Sequence, residues 1–247
     1  MITSKENPQI KELRKLQQKR HRAKTGSFVA EGEDLVASAL AAGWEPQALF
    51  CAPEAPGEFK SHAKAIEVDF DVLAGASALG SGSRVVGEFA LPPAKAAPAA
   101  ELTLYLEGVA DPGNIGTLIR SAAAFADAPV ALGPECADPY SPKALRAAMG
   151  ATFAHPPTSG LPEIAGAELV ALDADGDLEL ADYEPDGPVI LCAGAEREGL
   201  SDETIAKAAV TARIPMRADG PESLNVAMAA TIALHELSKG IRQSPPN

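Results

Sequence analysis

Three times after residue 100 of this 247-residue chain, an apolar run leads through a glycine-containing loop into a helix. The first run spans residues 102–107, the second 189–192 and the third 214–216. Strands that alternate with helices in this way form a mostly parallel sheet. Ligands of open α/β sheets bind outside the carboxyl ends of the strands, where such loops lie. We therefore expect the three loops to converge on one crevice.

The first loop places an amide, a glycine and a guanidinium at fixed spacing, since residues 111–120 read DPGNIGTLIR. Asn114 can cap the first helical amides, and Gly116 permits close approach of a ligand or another backbone. Arg120 lies about one and a half turns farther on. Because an ordinary capped helix with a surface arginine explains this loop equally well, the other two loops decide its interpretation.

The other two loops repeat the architecture with different polar groups. In the second, Glu196 lies between Gly194 and Gly199. In the third, we expect a cap near Ser223 and a helix at 224–239, whose nearly continuous apolar sequence predicts burial on more than one side.

Together the loops resemble the three motifs of SpoU-type (TrmH-like) RNA 2'-O-ribose methyltransferases of the SPOUT superfamily. The motifs are, in order, Asn114-x-Gly116-x-x-x-Arg120, Gly194-x-Glu196-x-x-Gly199-Leu200, and IPM at 214–216 with SLNV at 223–226. The resemblance continues in segments 140–151, 2–8 and 28–32 and so covers nearly the whole chain. It departs at Ala126, often glycine in the family, and at Ala227-Met228, where a small polar residue is more usual.

The resemblance implies an α/β fold with two domains. Residues 1–91 would form a small α/β RNA substrate-binding domain resembling a ribosomal-protein fold, and residues 101–247 a SPOUT domain with a mostly parallel sheet and a deep trefoil knot. Residues 92–100, rich in proline and alanine, predict a linker. The family also implies a homodimer through the C-terminal domain.

The implied reaction transfers a methyl group from S-adenosylmethionine to a ribose 2'-hydroxyl of ribosomal or transfer RNA, without a metal. The candidate catalytic residues are Arg120, Asn114, Glu196, Ser223 and Asn225. The family assigns the arginine as general base, but a guanidinium stays protonated in proteins. We favour electrostatic stabilisation of the ribose oxygen, and the choice between the two roles stays open.

Cofactor contacts in this family come largely from the main chain. The resemblance assigns them to Gly194, Ile214 and Leu224, to which we add Leu172 and Met216. Without the resemblance these positions are explained as a turn glycine and core residues.

The net charge of −13 is unevenly distributed. Residues 1–24 hold eight lysines and arginines against two glutamates, a net +6, so the remainder carries −19. Clustered positive charge favours RNA contact over a merely solvated amphipathic helix, because local charge sets the potential near a phosphate. The candidate RNA-binding residues are Lys5, Arg14, Lys15 and Arg20, with Lys143 and Arg146 from the helix after Pro142.

The remaining composition bounds the class of protein. No apolar run approaches the roughly 18 residues of a membrane span, and the charged start lacks the apolar region of a signal peptide. Cys51, Cys136 and Cys192 are odd in number and far apart, which suggests neither a disulfide framework nor a metal site. We expect reduced, buried thiols and a cytoplasmic protein.

Outside the motifs, the pattern predicts helices at 8–20 and 31–42. Further strands are predicted at 44–51, 65–68, 85–90, 130–132, 168–172 and 211–214.

Three alternative functions stay open. An idle RNA-binding or ribosome-assembly factor could share the fold, and a related enzyme could methylate a base. A dinucleotide oxidoreductase is disfavoured, because the second loop lacks a middle glycine and Glu196 would repel a pyrophosphate.

Overall fold

The computed structural model describes residues 1–78, 80–217, 219, 220 and 223–242. Internal contacts divide the chain into two compact units. Unit 1 contains residues 1–93 and 140–154, and unit 2 contains residues 94–139 and 155–247. Within the described ranges, no helix has the length and apolar character needed to cross a membrane.

The strands, in chain order, are β1 (Ser27–Glu31), β2 (Pro46–Cys51), β3 (Ala65–Glu67), β4 (Val85–Ala90), β5 (Leu102–Leu106), β6 (Val130–Leu132), β7 (Thr158–Ser159), β8 (Glu168–Leu172), β9 (Leu178–Glu179), β10 (Val189–Ala193) and β11 (Val210–Arg213). The helices are α1 (Pro8–Lys15), α2 (Lys19–Thr25), α3 (Glu33–Ala41), α4 (Gly57–Lys60), α5 (Phe70–Ala74), α6 (Pro112–Ala126), α7 (Pro142–Ala148), α8 (Ala151–Ala154), α9 (Asp202–Lys207) and α10 (Val226–Arg242), with a 3-10 helix at Leu180–Asp182.

Unit 1 is built on a four-stranded mixed sheet in the order β1-β4-β2-β3. β4 pairs antiparallel with β1 and β2, and β3 pairs parallel with β2. All five residues of β1 are buried. Phe28 packs with Phe89 in one core, and the next residue, Val29, packs with Ile10 and Phe50 in another. Because successive side chains of a strand point to opposite faces, the sheet is covered on both sides.

The helices predicted in unit 1 at 8–20 and 31–42 differ from those observed. The first is interrupted between α1 and α2, where the Gln17 amide donates to the buried Glu31 carboxylate at 2.7 Å. The second begins later, because Glu31 belongs to β1 and the φ of Gly32 is 101°, far from helical values. Tertiary contacts therefore set both boundaries.

Residues 140–154 pack into unit 1, although the predicted boundaries place them in the C-terminal domain. The ring of Phe28 contacts those of Tyr140 and Phe153, with centroid separations of 4.9 and 6.3 Å. The indole nitrogen of Trp44 donates to the Phe153 carbonyl at 2.9 Å. These contacts join residues more than a hundred positions apart, so no local sequence pattern predicts them.

Unit 2 is built on a seven-stranded sheet in the order β7-β6-β5-β10-β8-β11-β9. Every strand pairing in it is parallel, which confirms the predicted α/β class. The central strand β10 is buried along its whole length. The predicted strand at 211–214 ends one residue early at Arg213, so Ile214 begins the following loop.

Helices α6 and α10 pack against each other in unit 2. The hydroxyls of Ser121 and Thr231 lie 2.8 Å apart, and the Phe125 ring meets the His235 ring edge-on. Met228 and Ile232 on α10 are 62% and 44% exposed. The expectation that this helix is buried on more than one side is therefore wrong for the single chain, because its outer apolar positions have no cover among the described residues.

Candidate active site

The loops after β5, β10 and β11 meet through their polar side chains at the carboxyl edge of the unit 2 sheet. The Asn114 amide donates to Glu196 Oε1 at 3.1 Å, and the Asn225 amide donates to the same oxygen at 2.5 Å. Asn225 Nδ2 also lies 3.4 Å from Asn114 Oδ1. We call Asn114, Glu196 and Asn225 the amide–carboxylate cluster. The structure thus brings together three of the five predicted catalytic residues.

The first loop is capped by a different residue from the one predicted. Asp111 Oδ1 accepts hydrogen bonds from the main-chain N–H groups of Gly113 and Asn114, at 2.6 and 3.1 Å. The Asn114 side chain is therefore not used for capping. It instead donates to Glu196, which lies in the loop after β10.

The cap of α10 also differs from the prediction. Asn225 Oδ1 accepts from the N–H groups of Ala227 and Met228, at 3.0 and 3.3 Å, whereas Ser223 lies two residues earlier and is exposed. One end of the Asn225 amide thus holds the helix start while the other holds Glu196. This double use fixes the carboxylate relative to α10.

The second loop is closed by its two glycines. Ala195 and Gly199 exchange two main-chain hydrogen bonds of 3.1 and 3.0 Å, and Gly199 has a φ of 68°. A Cβ atom on Gly194 would lie 2.2 Å from the carbonyl carbon and oxygen of Gly199. Only glycine fits at position 194, and the tight loop holds Glu196 at its tip.

A cleft of about 210 Å³ lies beside the cluster. Its walls are mainly apolar, with three charged side chains and the glycine loop at its edge. Its lining includes all five predicted cofactor contacts, one predicted catalytic serine and three charged residues, namely Leu172, Gly194, Ile214, Met216, Leu224, Ser223, Asp173, Glu196 and Arg197.

Arg120, the remaining predicted catalytic residue, is not part of the cluster or of the cleft lining. It is exposed on α6, about 9 Å along the helix axis from Asn114. Within the part of the chain that the structure describes, its guanidinium makes no hydrogen bond or ion pair. The group is therefore available to an incoming anion.

The arrangement has counterparts among known proteins. Residues 101–235 match the model of the SpoU rRNA methylase family, and residues 7–87 match that of the MRM3-like substrate binding domain. The chain belongs to the SpoU rRNA methylase family.

Relatives align with this SpoU-family chain over nearly its full length. A Synechocystis protein named an uncharacterized tRNA/rRNA methyltransferase is 31% identical over 95% of this chain and 92% of its own. The Bacillus subtilis 23S rRNA (guanosine(2553)-2'-O)-methyltransferase RlmP is 28% identical over 96% and 98%. The crystal structure of an AdoMet-bound rRNA methyltransferase from Sinorhizobium meliloti is 34% identical, covers 97% of each chain and superposes with a TM-score of 0.87.

Two charged residues of the SpoU-family cleft, Asp173 and Arg197, were missed by sequence reasoning. Asp173 directly follows β8, so the rule that ligands bind at strand ends would have found it had it been applied to that strand. Arg197 lies inside the second motif, at a position that the motif leaves unspecified.

The predicted RNA-binding residues at the N-terminus differ in their availability. The side chains of Lys5 and Arg20 are exposed and make no ion pair or hydrogen bond within the described ranges. Arg14 donates to the Gly75 carbonyl at 3.2 Å, and Lys15 lies 3.7 Å from Glu12.

Arg22 of the basic segment and the two predicted cations of α7, Lys143 and Arg146, differ in burial. Arg22, counted in the basic segment, is 2% exposed and donates to the Leu16 carbonyl at 2.7 Å, so we assign it a structural role. Lys143 is exposed, whereas Arg146 is half-buried and its Nη1 has no hydrogen-bond partner within the described ranges.

The three thiols of the SpoU-family chain are free. Burial, with a smaller effect from Glu107, raises the pKa of Cys192 to about 12. Burial likewise raises the pKa of Cys51 to about 11. Neither thiol is suited to nucleophilic chemistry, because the thiolate is the nucleophile. The described residues contain no group of three side chains that could hold a metal ion.

Proposed function

We propose that this protein transfers a methyl group from S-adenosylmethionine to a ribose 2'-hydroxyl of ribosomal or transfer RNA. The observation that carries this proposal is the amide–carboxylate cluster beside a cleft lined by all five predicted cofactor contacts. The relatives support it by their names, since RlmP is a ribose methyltransferase of 23S rRNA and the Sinorhizobium enzyme binds AdoMet.

The cleft residues fit this cofactor. The apolar side chains of Leu172, Ile214 and Leu224 suit an adenine ring, and the carboxylates of Asp173 and Glu196 suit hydroxyl or cationic groups. When bound, the cofactor supplies an activated methyl group on a sulfonium that is itself the leaving group. The protein then has to orient the two reactants and stabilise charge on the ribose oxygen.

Each candidate catalytic residue has a role in this scheme. Arg120 stabilises the negative charge that grows on the ribose oxygen, and Asn114 orients that oxygen or the neighbouring phosphate. Glu196 fixes the amides of Asn114 and Asn225, since both donate to its Oε1. Ser223, at the cleft wall, positions cofactor or substrate.

RNA binding is assigned to the predicted N-terminal domain, residues 1–91. Its exposed cations Lys5, Lys15 and Arg20 would contact phosphates. Arg14 would do so while it donates to the Gly75 carbonyl. Lys143 and Arg146 would add contacts from α7. Phosphate contacts of this kind supply affinity, whereas the choice of nucleotide requires further contacts with the bases.

A homodimer through the C-terminal domain is also proposed, because Met228 and Ile232 form an exposed apolar stripe on α10. The trefoil knot that the resemblance implies stays a prediction. A cytoplasmic location is supported by three free cysteines, which suit a reducing compartment.

The test is transfer of labelled methyl from S-adenosylmethionine to unmodified ribosomal and transfer RNA, followed by nucleoside analysis. A labelled 2'-O-methyl nucleoside is expected. Label on a base would instead identify a base methyltransferase. Cofactor binding without transfer to either RNA would favour the idle RNA-binding factor.

A further inference from the structure

Asp173 is a carboxylate in the cleft to which the family motifs assign no role. It directly follows β8, and β8 lies between β10 and β11 in the sheet. It lines the cleft together with Leu172 on the same chain segment. The side chain thus stands at the carboxyl edge of the sheet, where parallel α/β sheets hold their ligands.

The carboxylate is held in place with one oxygen unused. Asp173 Oδ1 accepts from the Asp175 N–H at 2.8 Å, and the Asp173 N–H donates to the Ala212 carbonyl at 2.9 Å. Oδ2 makes no hydrogen bond to any described residue. A rigid side chain with an open acceptor is suited to binding a ligand donor, because little freedom is lost on contact.

Arg213, a cation that contacts this chain segment, is bonded to groups other than Asp173. Arg213 donates to the Gly176 carbonyl at 2.6 Å and to the Glu179 carboxylate at 3.2 Å. Asp173 has no ion pair within the described ranges. Asp173 thus lines the cleft with Oδ2 unbonded to any described residue, and Arg197, a cation of the same lining, makes no ion pair with it.

The polarity of the cleft indicates which part of the cofactor lies near Asp173. Two of the three residues of the amide–carboxylate cluster, Asn114 and Glu196, lie in the loops after β5 and β10, and we place the transferred methyl group beside them. The end of β8 and the loop after β11 present Leu172 and Ile214, whose apolar side chains suit adenosine. The donors that adenosine carries beside its base are the two ribose hydroxyls, and carboxylates at strand ends bind such hydroxyls in dinucleotide sites.

We propose that Asp173 binds the ribose diol of the cofactor through Oδ2. The inference rests on the proposed function, because the diol belongs to S-adenosylmethionine. It adds side-chain recognition to a site whose other expected contacts are made by the main chain.

The test measures, by calorimetry, the affinity of the protein for S-adenosylhomocysteine. This compound has the same ribose as S-adenosylmethionine and is chemically stable. We expect Asp173→Asn to raise the Kd about tenfold or more, because a charge-assisted hydrogen bond becomes a neutral one. Asparagine retains an oxygen for the Asp175 N–H, so the turn persists. Asp175→Asn, the same change at an exposed position outside the cleft lining, should leave the Kd within about twofold.

Analogues of the same ligand that lack the 2'- or the 3'-hydroxyl identify the contact. Each analogue should bind the wild type more weakly than S-adenosylhomocysteine does. For at least one analogue, the Asp173→Asn variant should show the same Kd as the wild type, because the two groups that would interact are then both altered and their effects are non-additive. Independent, additive losses would overturn the inference. So would an unchanged Kd, or a loss confined to the positively charged S-adenosylmethionine. Failure of the wild type to bind either ligand would instead overturn the proposed function.

Discussion

The two units of this molecule use their charged residues in opposite ways. By sequence, the residues of unit 2 carry a net charge of −14, whereas those of unit 1 carry +1. In unit 2, polar side chains from separate strand ends bind one another beside a cleft. In unit 1, buried polar groups hold loops together and exposed lysines and arginines face solvent. The functional residues of unit 2 can therefore be recognised in the sequence from motifs, whereas those of unit 1 can be recognised only from clustered positive charge.

Two glutamates illustrate the contrast. Glu31 in unit 1 is 4% exposed and accepts hydrogen bonds from the Gln17 amide, the Ser77 hydroxyl and the Ala78 N–H. Glu196 in unit 2 is exposed, and its Oε2 bonds to no described residue. Both lie in segments that resemble the family, yet burial makes the first a structural group and leaves the second available to a ligand.

The largest effect is expected from Gly194→Ala, which tests whether the second loop builds the cleft. The new Cβ would lie 2.2 Å from backbone atoms of Gly199, so the loop cannot close and cofactor affinity should fall about 100-fold. Calorimetric titration with S-adenosylhomocysteine measures it. Gly240→Ala is the control, because its Cβ meets nothing within 4 Å, and equal affinities in both variants would contradict this role of the loop.

A smaller effect, on stability alone, is expected from Glu31→Gln in unit 1. Loss of charge-assisted bonds at this buried site should lower the free energy of unfolding by about 2 kcal/mol while cofactor affinity is unchanged. Denaturant unfolding measures it, with the exposed Glu54→Gln as control. A stable Glu31→Gln variant that had lost RNA affinity would show that we have assigned this residue to the wrong function.

The smallest effect is expected from Lys19→Ala combined with Arg20→Ala. Both side chains are exposed, and their removal should weaken RNA binding about tenfold and reduce the salt dependence of the affinity by about one to two ion equivalents. Cofactor affinity should not change. Lys60→Ala, an exposed cation of the same unit outside the basic segment, is the control. An equal loss in that control would mean that the segment 1–24 has no special role.

Local pattern predicted much of unit 2 because its strands are continuous apolar runs and its loops carry glycines. The convergence of Asn114, Glu196 and Asn225 followed from the parallel sheet. The residue that caps α6 could not be predicted from the sequence, because Asp111 and Asn114 are both good capping residues. Only the backbone geometry selects Asp111.

Long-range contacts account for most of the remaining differences. Glu31 lies in a buried strand rather than a helix, because its hydrogen-bond donors come from residues 17, 77 and 78. Residues 140–154 join unit 1 through aromatic packing that sequence spacing does not encode. Asp173 follows β8 directly, so its position at a strand end was a usable signal, although none of the three family motifs includes it.

Under the proposed function, methyl transfer occurs at the amide–carboxylate cluster and Arg120 stabilises the ribose oxygen. The most direct test is the single-turnover rate of ribose methylation by Arg120→Ala at saturating cofactor and RNA. We predict a rate about 100-fold or more below the wild type, with cofactor affinity unchanged, and a similar loss for Arg120→Lys, which lacks the planar fork. A rate within about twofold of the wild type in Arg120→Ala would contradict this role of Arg120.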